Sequence, residues 1–356
     1  MRIGIVFPGT AKAPVGGHKV LYEYANCLVK KGHEVTIYYL AERLLEQYNL
    51  ITPVQRICAK LLVKCRPNWF IFDRKVRKKA IFKISDNEIE DGDVIIATAF
   101  LTAQAVSGLN EKKGRKFYFI QDFENWGDVT SEEVIESYSL GMTNIVVSKW
   151  LEGIVNANTN NKAVLITNAI DQECFNVTTP MENRDKYTIV MHYRTAVGKG
   201  CSYGLETIKI LQKAYPKLKA YIIGTEEAPE DLPDCCTYFY RIPPAQVALI
   251  NNKASIFMCT SVAEGFGLPG LEAMACGCAV VSTDYEGIHE YAIDGVNALL
   301  SPVRNPEAMA DNIRRLMDSD EMRISIVKQG IETAQNRTIA SAVNKLEKIL
   351  SIDSND

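Results

Sequence analysis

Short apolar runs alternate with helical patterns along nearly the whole chain, and this alternation constrains the fold more than any other feature. Apolar runs bounded by turn residues are typical of strands that are buried on both faces, as they are in parallel sheets. The alternation therefore predicts an α/β fold. The predicted strands of the first half are Ile3–Phe7, Val35–Leu40, Val94–Thr98, Lys116–Ile120, Ile145–Val147 and Val164–Ile166. Those of the second half are Thr188–His192, Lys219–Ile223, Cys236–Tyr240, Ile256–Cys259 and Ala279–Ser282.

The chain of 356 residues is long enough for about two domains. Residues 171–185 are mostly polar and show no periodicity, so a boundary is predicted between Asn168 and Lys186. We expect two doubly wound, Rossmann-like domains, over residues 1–170 and 186–337, that face each other across a cleft. Ligands of such sheets bind beyond the carboxyl ends of the strands, so the loops that follow the strands carry the candidate sites.

Charge and composition exclude several classes of protein. The net charge of −3 gives no overall attraction to nucleic acid or to a membrane. No apolar run reaches the roughly 18 residues of a membrane span. The first residues, Met1 to Phe7, are followed by a proline and a glycine and are interpreted as a strand rather than a signal peptide. Ten cysteines without paired metal spacing and only four histidines predict reduced thiols in a cytoplasmic protein and no metal site.

The segment from Glu264 to Glu272 places two carboxylates eight residues apart around a glycine-rich loop. Glycine has no side chain, so the backbone of such a loop can approach a ligand closely. Pro269 is suited to the first turn of a helix, and the N–H groups at the start of a helix bind phosphate. Carboxylates pair with hydroxyl groups rather than phosphate, so the segment suggests a sugar nucleotide. The alternative is that Glu264 is a solvated loop residue and that Glu272 only favours a helix N-terminus.

Two further loops carry candidate ligand groups. After the first strand of the second half, Arg194 and Lys199 stand in a loop that also contains glycine. Arginine can bind phosphate oxygens in a bidentate manner and lysine adds a mobile positive charge, although basic loop residues are more often only solvated. After the first strand of the chain, Gly16 and Gly17 precede a helix, or form a flexible turn without a ligand. They are not part of a Gly-x-Gly-x-x-Gly motif, which argues against a dinucleotide-dependent dehydrogenase.

These motifs, in this order, resemble family 4 of the retaining glycosyltransferases. The resemblance rests on Gly16-Gly17, Val164–Phe175, Arg194-x4-Lys199-Gly200 and Glu264-Gly-Phe-Gly-Leu-Pro-x-x-Glu272-Ala-Met-Ala-x-Gly, and it spans nearly the whole chain. It implies the two-domain GT-B architecture, with the nucleotide held mainly by the C-terminal domain. It also implies that a last helix, about residues 338–356, crosses back onto the N-terminal domain. No metal or other cofactor is implied, because protein cations and helix dipoles stabilise the leaving nucleotide diphosphate.

The resemblance implies a role for each matching position. Arg194 and Lys199 would neutralise the donor diphosphate, Glu264 would bind hydroxyl groups of the donor sugar, and Glu272 would hold the ribose hydroxyls. The backbone near Ile242 would meet the base. The backbone of Phe266, Gly267 and Leu268 would touch sugar or phosphate, and Gly16 and Gly17 would approach the diphosphate from the other domain.

The chain departs from the common family pattern after the fourth N-terminal strand, where many relatives place a histidine near the sugar. Here Gln121, Asp122 and Trp126 follow the strand. The segment is similar to one in a subgroup that includes rhamnosyl-transferring enzymes of bacterial surface glycans. Gln121 and Asp122 could bind hydroxyl groups of sugar or acceptor, and Trp126 could stack on a pyranose ring. The alternative is a capping aspartate and a packed aromatic residue.

Between Arg56 and Lys83 the chain carries ten basic residues and one acidic residue, interleaved with aromatic residues. Such a stretch in a chain of net charge −3 predicts docking on an anionic membrane surface, where a lipid-linked acceptor would lie. The alternatives are a solvated basic helix and a groove for an acidic acceptor. No nucleic-acid partner is predicted, because the rest of the chain offers no matching basic path.

We therefore expect a retaining glycosyltransferase that moves a sugar from a nucleotide-diphosphate sugar to a hydroxyl group of a glycan or lipid-linked acceptor, in bacterial surface polysaccharide synthesis. The acceptor hydroxyl attacks the anomeric carbon from the face that the diphosphate leaves, and the departing phosphate takes up its proton. This mechanism needs no protein nucleophile. The expected location is the cytoplasm, with the enzyme peripheral on the inner face of the plasma membrane. Two alternatives stay open: a sugar-nucleotide epimerase of similar two-domain build, and a catalytically silent carbohydrate-binding scaffold.

Overall fold

The computed structural model describes residues 1–41, 52–125 and 129–352. These residues form two compact units, each with its own parallel sheet. The first unit comprises residues 1–167 and the C-terminal segment from Ile339, and the second comprises residues 168–338. No helix in the described ranges is both long enough and apolar enough to cross a bilayer.

The first unit is a seven-stranded parallel sheet that alternates with helices. Its strands are β1 (Arg2–Phe7), β2 (Glu34–Leu40), β3 (Arg77–Ile81), β4 (Val94–Ala97), β5 (Arg115–Ile120), β6 (Thr143–Val146) and β7 (Val164–Leu165). The helices between them are α1 (Gly16–Lys30), α2 (Thr52–Cys65), α3 (Phe100–Ser107), α4 (Ser131–Ser137) and α5 (Lys149–Asn158), with a 3-10 turn at Glu111–Lys113. The strand order is β3-β2-β1-β4-β5-β6-β7. The order reverses between β1 and β4, so the loops at this switch point are favoured positions for a ligand.

The second unit repeats this plan with six parallel strands in the order β10-β9-β8-β11-β12-β13. The strands are β8 (Thr188–Tyr193), β9 (Lys219–Gly224), β10 (Cys236–Tyr240), β11 (Ile256–Cys259), β12 (Ala279–Thr283) and β13 (Ala298–Ser301). The helices are α6 (Cys201–Ala214), α7 (Pro244–Lys253), α8 (Leu268–Ala275), α9 (Pro306–Asp318) and α10 (Asp320–Gln335). Three 3-10 turns lie at Met181–Asn183, Val197–Lys199 and Glu286–Glu290. The order reverses between β8 and β11, so the loops after these two strands are neighbours.

The core of the second unit is built from apolar strand residues that face apolar stripes of the helices. Ile189 of β8 and Met258 of β11 belong to the same buried cluster as Ile208 of α6 and Leu316 of α9. Helix starts follow local chemistry, as at α9, where the Asn305 side chain accepts a hydrogen bond from the Ala308 N–H at 3.0 Å. The sheet is therefore held rigidly beneath its loops.

All of the strands predicted from the sequence are present, but β3 and β13 were missed. Both are edge strands of their sheets. β3 lacks an apolar run, whereas β13 is largely buried but only four residues long. In β3 the first three residues are basic, and the side chains of Arg77 and Lys79 both pair with Glu90. Part of the basic stretch that suggested membrane docking is thus sheet structure.

Residues 171–185, expected to link the two domains, pack into the second unit instead. Arg184 is buried and donates hydrogen bonds to the carbonyl oxygens of Thr179 at 2.9 Å, Ala254 at 2.9 Å and Gly277 at 3.1 Å. A buried guanidinium group needs partners for its donors, and these carbonyl groups fix the segment to the sheet. The polar composition of residues 171–185 does not predict that the segment packs against the second unit.

The last helix, α11 (Ile339–Ser351), belongs to the first unit and contacts α1. Leu346 and Leu350 on its inner face are buried. The Glu347 carboxylate lies 2.7 Å from Lys31 Nζ and 2.8 Å from His33 Nε2. The chain therefore completes its first unit only at its C-terminal end.

Candidate functional site

The loops that follow β8 and β11 are joined by their backbones. The N–H of Val262 donates to the carbonyl of Gly198 at 2.8 Å, and Thr260 Oγ1 donates to the carbonyl of Lys199 at 3.2 Å. Gly200 has φ +58°, and a Cβ added there would lie 2.0 Å from the Thr260 carbonyl oxygen. Only glycine fits both this conformation and this close approach. The contact holds the two loops in register at the carboxyl edge of the sheet.

Lys199 and Glu264 meet at this junction. Lys199 Nζ lies 3.0 Å from Glu264 Oε1, and the Glu264 side chain is only 15% exposed. Ser261 Oγ donates to the same carboxylate oxygen at 2.5 Å, and Ser261 is itself buried. The carboxylate is therefore oriented from below by a hydroxyl group and neutralised from the side by an ammonium group. Ser261 was not singled out from the sequence, because an isolated serine carries no positional signal.

Arg194 lies in the same electrostatic neighbourhood. Its guanidinium group donates to the carbonyl of Tyr193 at 2.8 Å, and its backbone N–H donates to Cys201 Sγ at 3.3 Å. Burial lowers the pKa of the Arg194 guanidinium, and the negative charges of Glu226 and Glu264 oppose that effect. Arginine stays protonated despite such a shift because its ordinary pKa is so high. Arg194 thus adds a half-buried, permanent positive charge to the loop that also carries Lys199.

The glycine-rich loop leads directly into α8. Gly267 is the N-cap, with φ +84°, and Pro269 lies in the first turn of the helix. The Tyr291 hydroxyl donates to the Gly267 carbonyl at 2.6 Å, and the Phe266 ring lies 5.3 Å from the Tyr291 ring. No side chain caps this helix start, but Pro269 has no N–H and the Gly270 N–H donates to the Gly267 carbonyl at 3.1 Å. The Leu268 N–H is therefore the first-turn donor best placed for a phosphate or sugar oxygen. Phe266 and Leu268 are buried and fix the loop by packing.

Glu272 is placed within α8 itself, and its side chain is buried. Glu272 lies beyond the first turn of α8, which contains no acidic residue. Lys199 and Glu264 are in contact, and Glu272 lies further along the chain, inside α8. A buried carboxylate at such a position is suited to hydrogen-bonding with hydroxyl groups.

Ile242 follows β10 at the edge of the sheet, two strands away from β8. The residue before it, Arg241, has φ +51°, which is uncommon for a residue with a side chain. Its N–H donates to the Gly224 carbonyl at 2.7 Å, its Nε donates to the Thr225 carbonyl at 2.9 Å, and its guanidinium group lies 4.8 Å from the centre of the Tyr240 ring. No local sequence pattern predicts this conformation.

In the first unit, Gly16 is the first residue of α1, and Gly17 contacts the loop after β5. Gln121 Nε2 donates to the Gly17 carbonyl at 2.9 Å, and a Cβ on Gly17 would lie 3.2 Å from that amide. The Asp122 carboxylate accepts a hydrogen bond from the Phe123 N–H at 2.9 Å. The glycine pair and Gln121 thus form one cluster beside the switch point. Trp126 lies outside the described residues.

The same loop contains Glu124, which was not singled out from the sequence. Its carboxylate accepts a hydrogen bond from the Phe100 N–H at the start of α3 at 2.6 Å. Burial raises the pKa of Glu124 to about 7, the Phe100 hydrogen bond opposes the shift, and the charge of Asp122 adds to it. Only tertiary structure creates this environment.

Across the three described ranges, no group of three or more histidine, cysteine, aspartate or glutamate side chains is arranged to hold a metal ion. The cations that could face a diphosphate at the junction of the β8 and β11 loops are those of Arg194 and Lys199.

Known proteins resemble this chain in sequence and in fold. Residues 179–333 match the family described as glycosyl transferases group 1. The chain is 26% identical over 215 residues to an uncharacterized glycosyltransferase of Methanocaldococcus jannaschii, covering 58% of each chain. It is 31% identical over 109 residues to the D-inositol 3-phosphate glycosyltransferase of Corynebacterium efficiens, covering 31% of this chain and 26% of the relative. The match thus spans between a quarter and somewhat over half of these relatives.

Solved structures share the architecture over the full length. Anabaena HepE, in a crystal structure with UDP and glucose, superposes with a TM-score of 0.75 at 15% identity over 99% of both chains. The sucrose-phosphate synthase of Thermosynechococcus elongatus gives a TM-score of 0.73 at 15% identity over 98% of both chains. At these identities the likeness concerns the fold alone. The protein therefore has the GT-B fold, and over residues 179–333 it is similar to the group 1 glycosyl transferases.

Proposed function

We propose that this protein is a retaining glycosyltransferase of family 4. It transfers a hexosyl or deoxyhexosyl group from a nucleotide-diphosphate sugar to a hydroxyl group of a glycan or lipid-linked acceptor. We place it in bacterial surface polysaccharide synthesis, at the cytoplasmic face of the membrane. The similarity of the segment around Gln121 and Asp122 to rhamnosyl-transferring enzymes makes a deoxyhexose the first donor sugar to test.

One observation carries this proposal: the contact of Lys199 with Glu264 beside Arg194, at the start of α8. Two cations and the N–H groups of a helix start can stabilise the charge that develops on a leaving diphosphate. Glu264, held by Ser261, accepts hydrogen bonds from hydroxyl groups of the donor sugar. The same cluster would have little use in a protein that binds an uncharged glycan.

We take the remaining roles from the family resemblance of the sequence motifs. Glu272 holds the ribose hydroxyls, the backbone near Ile242 meets the base, and the backbone of Phe266, Gly267 and Leu268 touches sugar or phosphate. Gly16 and Gly17 approach the diphosphate, while Gln121 and Asp122 contact sugar or acceptor hydroxyls. The anomeric carbon gains positive charge as the diphosphate leaves, and the acceptor hydroxyl attacks from the same face and gives its proton to the departing phosphate oxygen. No metal takes part in this scheme.

The structural neighbours suggest where to begin. Anabaena HepE is described with UDP and glucose, and the pneumococcal O-GlcNAc transferase GtfA with UDP and GlcNAc. Uridine is therefore the first nucleoside to test, in donors that carry a deoxyhexose and then in donors that carry a hexose.

The test is a nucleoside-diphosphate release assay on the purified chain, with and without a chelator, comparing wild type with Arg194→Ala and Glu264→Gln. Loss of the Arg194 charge should slow release by about 100-fold or more, because one transition-state charge partner is removed. Arg304→Ala, which removes an exposed arginine of the second unit, serves as the control. Unchanged turnover in Arg194→Ala would refute its role. An isomerised donor without diphosphate release would indicate an epimerase, and a donor left intact would indicate a binding scaffold.

A further inference from the structure

Helix α2 presents an apolar face to solvent. Ala59 and Val63 are buried and face the body of the first unit. On the opposite side of the helix, Ile57 is 62% exposed and Leu61 is 58% exposed, and Val54 continues the same stripe. Residues three and four positions apart lie on one face of a helix, so these aliphatic side chains form one stripe rather than scattered contacts. An exposed apolar stripe marks an interaction surface.

Positive charge flanks this stripe on the same helix. Lys60 and Lys64 follow Ile57 and Leu61 by three residues each, and both are exposed. Helix α2 contains no acidic residue. A second copy of this chain would bring the same cations against them, which opposes self-association. Anionic lipid phosphates complement the cations, and lysine stems can lie along an apolar surface while their ammonium groups reach the headgroups.

Three of the aromatic residues that suggested membrane docking pack within the first unit instead. The rings of Trp69, Phe70 and Phe72 pack around the buried Tyr22, with ring centres 4.8 to 5.8 Å apart. Trp69 Nε1 also donates to the carbonyl of Ala11 at 2.9 Å. These contacts remove the rings from a membrane-facing role. The aliphatic stripe of α2 was not recognised from the sequence, because a helix with two apolar faces resembles a buried one.

We propose that the outward face of α2, formed by Val54, Ile57 and Leu61 with Lys60 and Lys64 beside it, docks on an anionic lipid bilayer. The helix lies in the plane of the interface, with its aliphatic side chains at the boundary of headgroups and acyl chains. This surface does not depend on the chemistry proposed for the second unit, so vesicle binding and donor turnover can succeed or fail separately.

The experiment is vesicle flotation of the full chain, using phosphatidylcholine alone and phosphatidylcholine mixed with phosphatidylglycerol. Ile57→Gln/Leu61→Gln should lower the partition coefficient on mixed vesicles by about tenfold or more, because the buried aliphatic area is lost. Lys60→Gln/Lys64→Gln should lower it by about twentyfold at low salt and leave pure phosphatidylcholine unaffected. The control is Leu249→Gln/Ile293→Gln, which removes an equally exposed leucine and isoleucine from the second unit and should not change binding.

Three results would overturn the proposal. The first is binding that neither α2 variant weakens. The second is a wild-type dimer that Ile57→Gln/Leu61→Gln dissociates without lipid, which would assign the stripe to a second copy. The third is that wild type does not bind vesicles while Ile57→Gln/Leu61→Gln has a lower unfolding midpoint than wild type. That result would mean that another segment of this chain packs on the stripe. Donor hydrolysis without vesicles should be equal in all variants.

Discussion

The Lys199–Glu264 pair illustrates how a single contact can prepare two different interactions. Lys199 is partly exposed and has a long, flexible stem, so its ammonium group can move from Glu264 Oε1 to a phosphate oxygen. Glu264 stays in place during such a change because Ser261 holds its carboxylate. The contacts with Lys199 and Ser261 therefore keep the Glu264 carboxylate oriented for sugar hydroxyls.

Glu124 gives a pH-dependent prediction at the residue scale. Burial raises its pKa from 4.5 to about 7, so the folded state binds this proton more tightly than the unfolded chain. The contribution of Glu124 to the free energy of unfolding is therefore largest at low pH, falls as the pH rises from about 4.5 to about 7, and is constant above. Glu124→Gln keeps an acceptor for the Phe100 N–H and removes the charge.

We expect Glu124→Gln to be stabilised relative to wild type by up to about 3 kcal/mol at pH 8 and by much less at pH 5. Urea unfolding at the two pH values measures this difference, and the comparison with wild type cancels the titration of all other groups. Equal differences at both pH values would show that the Glu124 carboxyl group titrates normally. Asp122→Asn is the matched control, and it should lower the pKa of Glu124 slightly, because Asp122 raises it.

Residue-scale features divide into those that local sequence reveals and those that tertiary contacts create. The contact of Lys199 with Glu264 could be predicted because loops after the strands of a parallel sheet meet at one edge. The hydrogen bond of Ser261 to Glu264 spans only three residues, but a loop serine carries no signal of such a role. Glu124 and the positive φ of Arg241 could not be predicted, since each depends on a neighbour distant in the chain. Glu124, for example, meets the amide of Phe100, which lies 24 residues away in the sequence.

At the element scale, Gly267 decides whether α8 starts where the site needs it. It has φ +84°, and an added Cβ would lie 1.8 Å from the Tyr285 hydroxyl oxygen. Gly295 has a comparable φ of +72°, but nothing lies within 4 Å of its added Cβ. Comparing the alanine variants of Gly267 and Gly295 therefore separates the cost of backbone strain from the cost of the clash with Tyr285. Gly295→Ala should cost about 1–2 kcal/mol of stability through strain alone.

We expect Gly267→Ala to cost clearly more, because Tyr285 must shift and the start of α8 must shift with it. Because the start of α8 shifts, Gly267→Ala should also bind UDP or another nucleotide diphosphate more weakly. Calorimetry measures the affinity, and urea unfolding measures the stability. Gly295→Ala should bind with wild-type affinity. Equal stability loss in the two variants would mean that the Tyr285 contact does not constrain the loop.

Sequence patterns predicted the central strands well because buried strands are continuous apolar runs, as in β11 and β12. β3 was missed because it begins with three basic residues, and β13 was missed because its apolar run is only three residues long. The linker prediction failed for a different reason. Arg184 satisfies carbonyl groups from several elements of the second unit, and no local pattern encodes a buried arginine of this kind.

At the scale of the whole molecule, α11 closes the first unit although more than 170 residues of the second unit separate it from β7. Leu346 is fully buried on α11, and Leu316 is fully buried in the core of the second unit. Replacing either leucine with alanine should cost about 2–5 kcal/mol through lost burial and a cavity. Since each side chain packs within its own unit, Leu346→Ala should raise amide hydrogen exchange in α1 and β2, and Leu316→Ala in α6 and β12. Hydrogen exchange followed by mass spectrometry measures both patterns. If Leu346→Ala instead raised exchange equally in both units, α11 would be part of one cooperative structure that the two sheets share.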